Sequence, residues 1–130
     1  MIVDTSAVMA MLLDEPEQAA ITRALRTAAI RRISAGSWIE LTVVLTRRAD
    51  PILRKKLSEL LELFPLEIAP VTAEQAVIGE TGYRTFGQAS RHPARLNFGD
   101  CFAYALAKAT GEPLLFKGDD FVHTDITAAL

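Results

Sequence analysis

The sequence predicts an α/β layer fold built on a small parallel sheet, and three observations carry that reading. Short runs at residues 1–3, 66–69 and 113–116, with a further stretch at 31–35, have the length of strands. Between them lie longer stretches whose apolar residues recur at helical spacing. Strand and helix alternate along the chain, which is the pattern of parallel strands joined by helical crossovers. The length of 130 residues fits one domain, residues 1–130, with no repeat or linker-like segment to divide it.

Each element has its own local cause. The strand at 1–3 stops at Asp4, and Ala7, Val8, Met11 and Leu12 then mark a helix ending near Asp14, Glu15 and Pro16. A second helix is expected from Pro16 to about residue 29, with proline in the first turn, where its missing N–H costs nothing. After the strand at 31–35, Trp38, Leu41, Thr42 and Leu45 give the i, i+3, i+4, i+7 spacing of one helix face. Pro51 opens the next helix, with the stripe Leu53, Leu57, Leu60, Leu61 and Phe64, and Pro65 stops it. Residues 66–69 give the third strand, and Thr72 caps a helix through about Tyr83. Gly82, Gly87 and Pro93 mark a loop. Asn97 starts the last helix, which is apolar on nearly every side from Cys101 to Ala107 and is therefore expected to be buried. Gly111 ends it, and the strand at 113–116 runs into a turn at Lys117, Gly118, Asp119 and Asp120.

Composition narrows the function classes. Half the residues are hydrophobic and 23% are charged, which argues against disorder. The single cysteine, Cys101, excludes an intramolecular disulfide framework and a cysteine-based zinc site. Its place on a buried helix reads as inert packing rather than as a nucleophile served by His92 or His123. The apolar start has no basic segment before it and carries Asp4 early, unlike a signal peptide. No apolar run approaches the roughly 20 residues that span a bilayer. A soluble, cytoplasmic protein with no membrane partner is expected. The net charge of -2 argues against a bulk-charge nucleic-acid binder.

The acids are placed to do chemistry. Ligands of an open parallel sheet bind beyond the carboxyl ends of its strands. Asp4 and the pair Asp119/Asp120 follow strands directly, whereas Glu40 and Asp100 sit three residues after the helix-start residues Ser37 and Asn97. Ser37 to Glu40 also reads as a capping box, Asn97 to Asp100 nearly as one, and Asp4 as an ordinary N-cap. Burial tips the balance, because Asp4 lies between apolar runs and Asp100 abuts the most apolar helix. Two buried carboxylates 4 Å apart repel by about 4 kcal/mol at an effective dielectric of 20. A gathering of such charges implies a hard cation, which takes oxygen ligands.

The stretches MIVDTSAVMAML at the start, Glu40, NFGDCFAYALA at 97–107 and LLFKGDDF at 114–121 resemble the PIN domain, specifically the VapC-type toxins of bacterial toxin–antitoxin pairs. The resemblance covers the whole chain. It implies a three-layer α/β/α sandwich with a small, mainly parallel sheet. It also implies an endoribonuclease dependent on Mg²⁺ (Mn²⁺ as substitute), usually a homodimer, inhibited by a cognate VapB-type antitoxin. By position, Asp4, Glu40 and Asp100 match the family's first three acids. The fourth is Asp119 or Asp120. The turn allowed by Gly118 favours Asp119, with Phe121 expected to anchor in the core and hold Asp120 outward. Metal on Asp4 and Asp100 would orient the scissile phosphate, with Glu40 and the fourth acid holding water or a second metal. Thr5 and Ser6 are candidates for hydroxyl bonds to these carboxylates, with helix capping as the plainer role for Thr5.

From Thr81 to Gly99 no acid occurs, and Arg84, Arg91 and Arg95 stand there with Tyr83, Phe86, His92 and Phe98. Arginine for phosphate and aromatic rings for bases are what a single strand of RNA needs, and a solvated loop with inward aromatics is the plainer alternative. Without the five candidate acids, the rest of the chain carries +3. Arg23, Arg26, Arg31 and Arg32 read as a solvated helix end, and the residues around Met9–Leu13 as core. Two other functions compete. A haloacid-dehalogenase-like phosphatase needs a second acid two positions after Asp4, where this chain has Ser6. A catalytically silent binding module would have no use for a full set of acids.

Overall fold

The computed structural model describes residues 1–130. Its strands are β1 (Ile2–Val3), β2 (Arg32–Ser34), β3 (Glu67–Ala69) and β4 (Leu114–Leu115). All three pairings are parallel, in the order β3-β2-β1-β4. The helices are α1 (Thr5–Leu12), α2 (Gln18–Thr27), α3 (Ala35–Arg48), α4 (Pro51–Leu63), α5 (Ala73–Phe86) and α6 (Asp100–Thr110). A single 3-10 turn spans Gln88–Ser90.

Alternation along β1 and its edge-strand partner β4 separates the layers. Val3 and Leu115 point to one face, into a cluster with Ala7, Val8, Ile21, Leu41 and Leu57 from α1 to α4. Ile2 and Leu114 point to the other, where Ala103, Tyr104 and Leu106 of α6 lie. Each fully buried Leu or Ile there contributes roughly 1.5–3 kcal/mol. The result is the expected three-layer sandwich. No helix is long and apolar enough to cross a membrane.

Several boundaries differ from expectation for identifiable reasons. The second helix begins at Gln18 rather than Pro16, because residues 14–17 form the turn out of α1, with Asp14 at φ 54°. Ser34, not Ser37, caps α3, its hydroxyl accepting from the Gly36 N–H at 3.3 Å. The third strand starts at Glu67, and α5 runs on to Phe86, carrying Gly82 inside it. The last helix proper begins at Asp100, three residues after Asn97. The C-terminal residues Thr127–Ala129 run along the open edge of β4, where the Leu114 N–H donates to Thr127 O and the Ala129 N–H to Leu114 O, both at 2.9 Å.

Candidate active site

The carboxyl ends of β1, β2 and β4 deliver the acids to one edge of the sheet. Asp4 leaves β1 and caps α1, where its Oδ2 accepts from the Ser6 N–H at 2.9 Å and the Ser6 hydroxyl at 2.6 Å. That hydroxyl in turn accepts from the Lys117 N–H at 3.0 Å, which ties the loop after β4 to the head of α1. Asp4 is both a cap and a member of the acidic centre. Burial drives its carboxyl above the usual range, and the Glu40 charge adds to that rise.

Asp100 opens α6. Its Oδ2 accepts from the Asn97 N–H at 2.7 Å while its own N–H donates to Asn97 Oδ1 at 3.0 Å, so the reciprocal bonds of a capping box do form. Its Oδ1 stays free of protein donors. Burial pushes the Asp100 carboxyl up to about 7, and the charges of Asp4, Asp120 and Glu40 push the same way. These four acids therefore share one electrostatic neighbourhood. None of them has an arginine, lysine or histidine partner among the ion pairs of the molecule.

Glu40 is released from capping because α3 starts upstream of Ser37. Its Oε2 accepts from Thr5 Oγ1 at 2.9 Å, and the same hydroxyl lies 3.2 Å from Ser37 O. Thr5 thus serves Glu40 rather than the end of α1, and Ser6 serves Asp4.

The two candidates for the fourth acid, Asp119 and Asp120, both lie solvent-exposed in the turn after β4. Gly118 does turn the chain, at φ +99°, but Asp120 is the carboxylate whose charge reaches Asp100. Phe121 buries in the same cluster as Ala103 and Tyr104 of α6, the core anchor expected of it, and Asp120 before it stays exposed. The Asp119 carbonyl accepts from the Val122 N–H in the following turn.

The acids approach but do not form a closed cage: no three His, Cys, Asp or Glu side chains converge on one ion-sized point. Like charges without a cation have reason to stand apart, and the donor set still suits magnesium. That ion takes one or two carboxylates and completes its shell with water and phosphate oxygens. Two buried carboxylates lacking any cationic neighbour fit such an ion.

The basic stretch divides. Arg84 pairs with Glu80 one turn earlier on α5, an acid lying just outside the stretch that lacks them. Arg91 and Arg95 are exposed, each in a left-handed backbone conformation at φ 57° and 55°. Phe86 stacks edge-on against His92 and near Tyr104, so both rings face inward. Tyr83 and Phe98 are the exposed aromatics, Phe98 at 78%. Burial and the Asp100 charge both raise the Cys101 thiol, away from the thiolate a nucleophile needs. Sequence reasoning also missed Gly99, whose missing side chain leaves the space that Glu40 occupies.

The profile of the PIN domain matches residues 1–126, nearly the whole chain and all of the acids above. The chain belongs to the PIN-domain family. Among its relatives in this family, ribonuclease VapC28 of Mycobacterium tuberculosis is 49% identical over 130 residues, covering 100% of this chain and 98% of that one. Ribonuclease VapC42 of the same species is 44% identical over 129 residues, covering 99% and 98%. The PIN fold recurs in the crystal structure of M. tuberculosis VapC20, described as a sarcin-ricin loop cleaving toxin. Its TM-score is 0.68 at 19% identity, over 97% of this chain and 95% of that one. VapBC2 from Rickettsia felis, solved on a promoter DNA fragment, has a TM-score of 0.72 at 16% identity, over 98% and 94%.

Proposed function

We propose that this PIN-domain protein is a VapC-type endoribonuclease whose cleavage of RNA depends on a divalent cation, Mg²⁺ or Mn²⁺, held by Asp4 and Asp100. The carrying observation is a pair of buried carboxylates, facing the charges of Glu40 and Asp120, with no protein cation among them. When bound, the ion supplies charge neutralisation at the scissile phosphate and acidifies water.

The chain's own residues do the rest. Asp4 is fixed by Ser6, and Asp100 by Asn97, so both carboxylates meet the ion with little reorganisation. Glu40, steadied by Thr5, is placed to orient a water or take its proton, and Asp120 adds the fourth charge. Asp119 is assigned a turn role. Arg91 and Arg95 are the exposed cations available to RNA phosphates, with the exposed Phe98 ring, packed on Phe102, available to a base; Arg84 joins only by leaving Glu80.

Its role is that of a cytoplasmic toxin, with residues 1–130 as one nuclease domain acting as a homodimer and restrained by a VapB-type antitoxin. The full-length identity to VapC ribonucleases supports this, as does the likeness of its fold to that of toxin–antitoxin complexes. A basic antitoxin side chain, most naturally arginine, seated among the carboxylates would satisfy their charge and displace the ion.

Purified protein incubated with total RNA is the direct test. Cleavage should stop in EDTA and return with Mg²⁺ or Mn²⁺, and undiminished cleavage in thoroughly chelated buffer would refute the metal role.

A further inference from the structure

Gly99 stands at the N-cap of α6 with φ -62° and ψ -41°, right-handed values that any residue adopts, so no positive φ requires a glycine there. Its lack of a side chain matters for what lies against it. A Cβ built on Gly99 would lie 2.2 Å from Glu40 Oε1, 2.8 Å from Glu40 Cδ and 3.0 Å from Glu40 Oε2. The three nearest atoms all belong to one carboxylate. That carboxylate is also the acceptor of the Thr5 hydroxyl, at 2.9 Å.

We propose that Gly99 is a positioning residue for Glu40. The bare backbone ahead of Asp100 is the seat on which the Glu40 carboxylate rests, and the Thr5 hydroxyl holds the same carboxylate. The seat joins α3 to the head of α6 and sets how closely Glu40 approaches Asp100. Any side chain at position 99 fills it and moves Glu40 off the Thr5 hydroxyl. The obstructing atoms are the far end of a flexible side chain, so the displacement is cheap for the fold and expensive for the site. This inference rests on the nuclease reading only for its catalytic consequence; the geometric claim stands apart from it.

The test is Gly99→Ala, alone and combined with Glu40→Gln. Gly99→Ala should fold with a melting temperature equal to or above that of the original chain. Its crystal structure should show Glu40 beyond hydrogen-bond distance of Thr5. Its kcat for RNA cleavage should fall 10- to 100-fold, the scale of losses around a metal site when a supporting contact is removed. Added to Glu40→Gln, the same substitution should change kcat less than twofold, because the group it displaces is already disabled. A Gly99→Ala structure with Glu40 still on Thr5 would overturn the proposal, as would a chain that fails to fold. An equal loss of activity with and without Glu40→Gln would overturn it too. Mn²⁺ binding by the original chain, read by electron paramagnetic resonance, separates the two readings. Its absence would sink the metal mechanism while leaving the displacement of Glu40 to be judged from the crystal structure.

Discussion

The same strands end in two different electrostatic worlds. At their amino ends, Glu112 before β4 meets the Met1 amine and Arg32 of β2, and Arg32 also reaches Glu67 at 3.4 Å. Those cations hold the Glu112 carboxyl below its usual range despite partial burial. At their carboxyl ends, Asp4 and Asp100 are buried among other acids, without a cation, and both carboxyls rise. A carboxylate's burial is thus offset at one end and left standing at the other. The first arrangement holds strands together. The second stores a cost that a ligand can relieve, and that is the signature of a working site.

Removing a carboxylate from the uncompensated end should produce the largest effect of all. Asp4→Asn and Asp100→Asn should each reduce RNA cleavage by at least about 100-fold, the upper end of what outer-shell changes around a metal cost. Circular dichroism should report an unchanged fold. Near-normal cleavage by either variant would remove that residue from the mechanism.

The stored cost should also be visible as pH dependence. Asp100 is held at about 7 in the fold against an ordinary 3.8, so the folded chain binds its proton more tightly than the unfolded one. Stability in chelator should therefore fall as pH rises from about 4 to 7, and level off above that. Saturating Mg²⁺ should reverse the trend near neutrality, adding about 2.7 kcal/mol at one hundred times its Kd. Asp100→Asn should flatten the chelated profile and gain much less from Mg²⁺. Identical melting curves for variant and original in both buffers would exclude Asp100 as a ligand.

Within the loop after β4 a smaller contrast is expected. Asp120→Asn should lower kcat more than Asp119→Asn does, because only Asp120 communicates with Asp100. The reverse order would restore Asp119 as the fourth acid.

The compensated end should respond least. Arg32→Ala or Glu112→Gln is expected to cost on the order of 1 kcal/mol of stability, since the pair is partly exposed to solvent. Cleavage measured well below the melting temperature should be unchanged. A loss of activity there would mean that the two ends of the sheet are coupled.

Much of this contrast was legible in the sequence. Asp4 and Asp100 stand out because apolar neighbours force them inward, and a period of 3.6 or a proline announces most helices. What escaped depends on tertiary packing. Ser37 and Glu40 spell a capping box, yet Ser34 supplies the cap, because β2 ends three residues before Ser37. Local turn geometry does not choose between Asp119 and Asp120, because both side chains stay exposed after Gly118. Arg84 looked free because the acid that neutralises it lies one turn back on the same helix. Gly99 gave no signal of its own, because glycine is common at a helix start.

The placement of β4 has a consequence in time. β1 is the first strand to leave the ribosome, but one of its two sheet partners is β4, and Asp120 lies beyond β4. A growing chain can therefore present Asp4 early and still lack the other side of its own catalytic edge until translation has passed residue 120. Incomplete products lack the loop whose Lys117 N–H secures Ser6 and, through it, Asp4. The acidic edge is therefore among the last parts of the molecule that synthesis can complete.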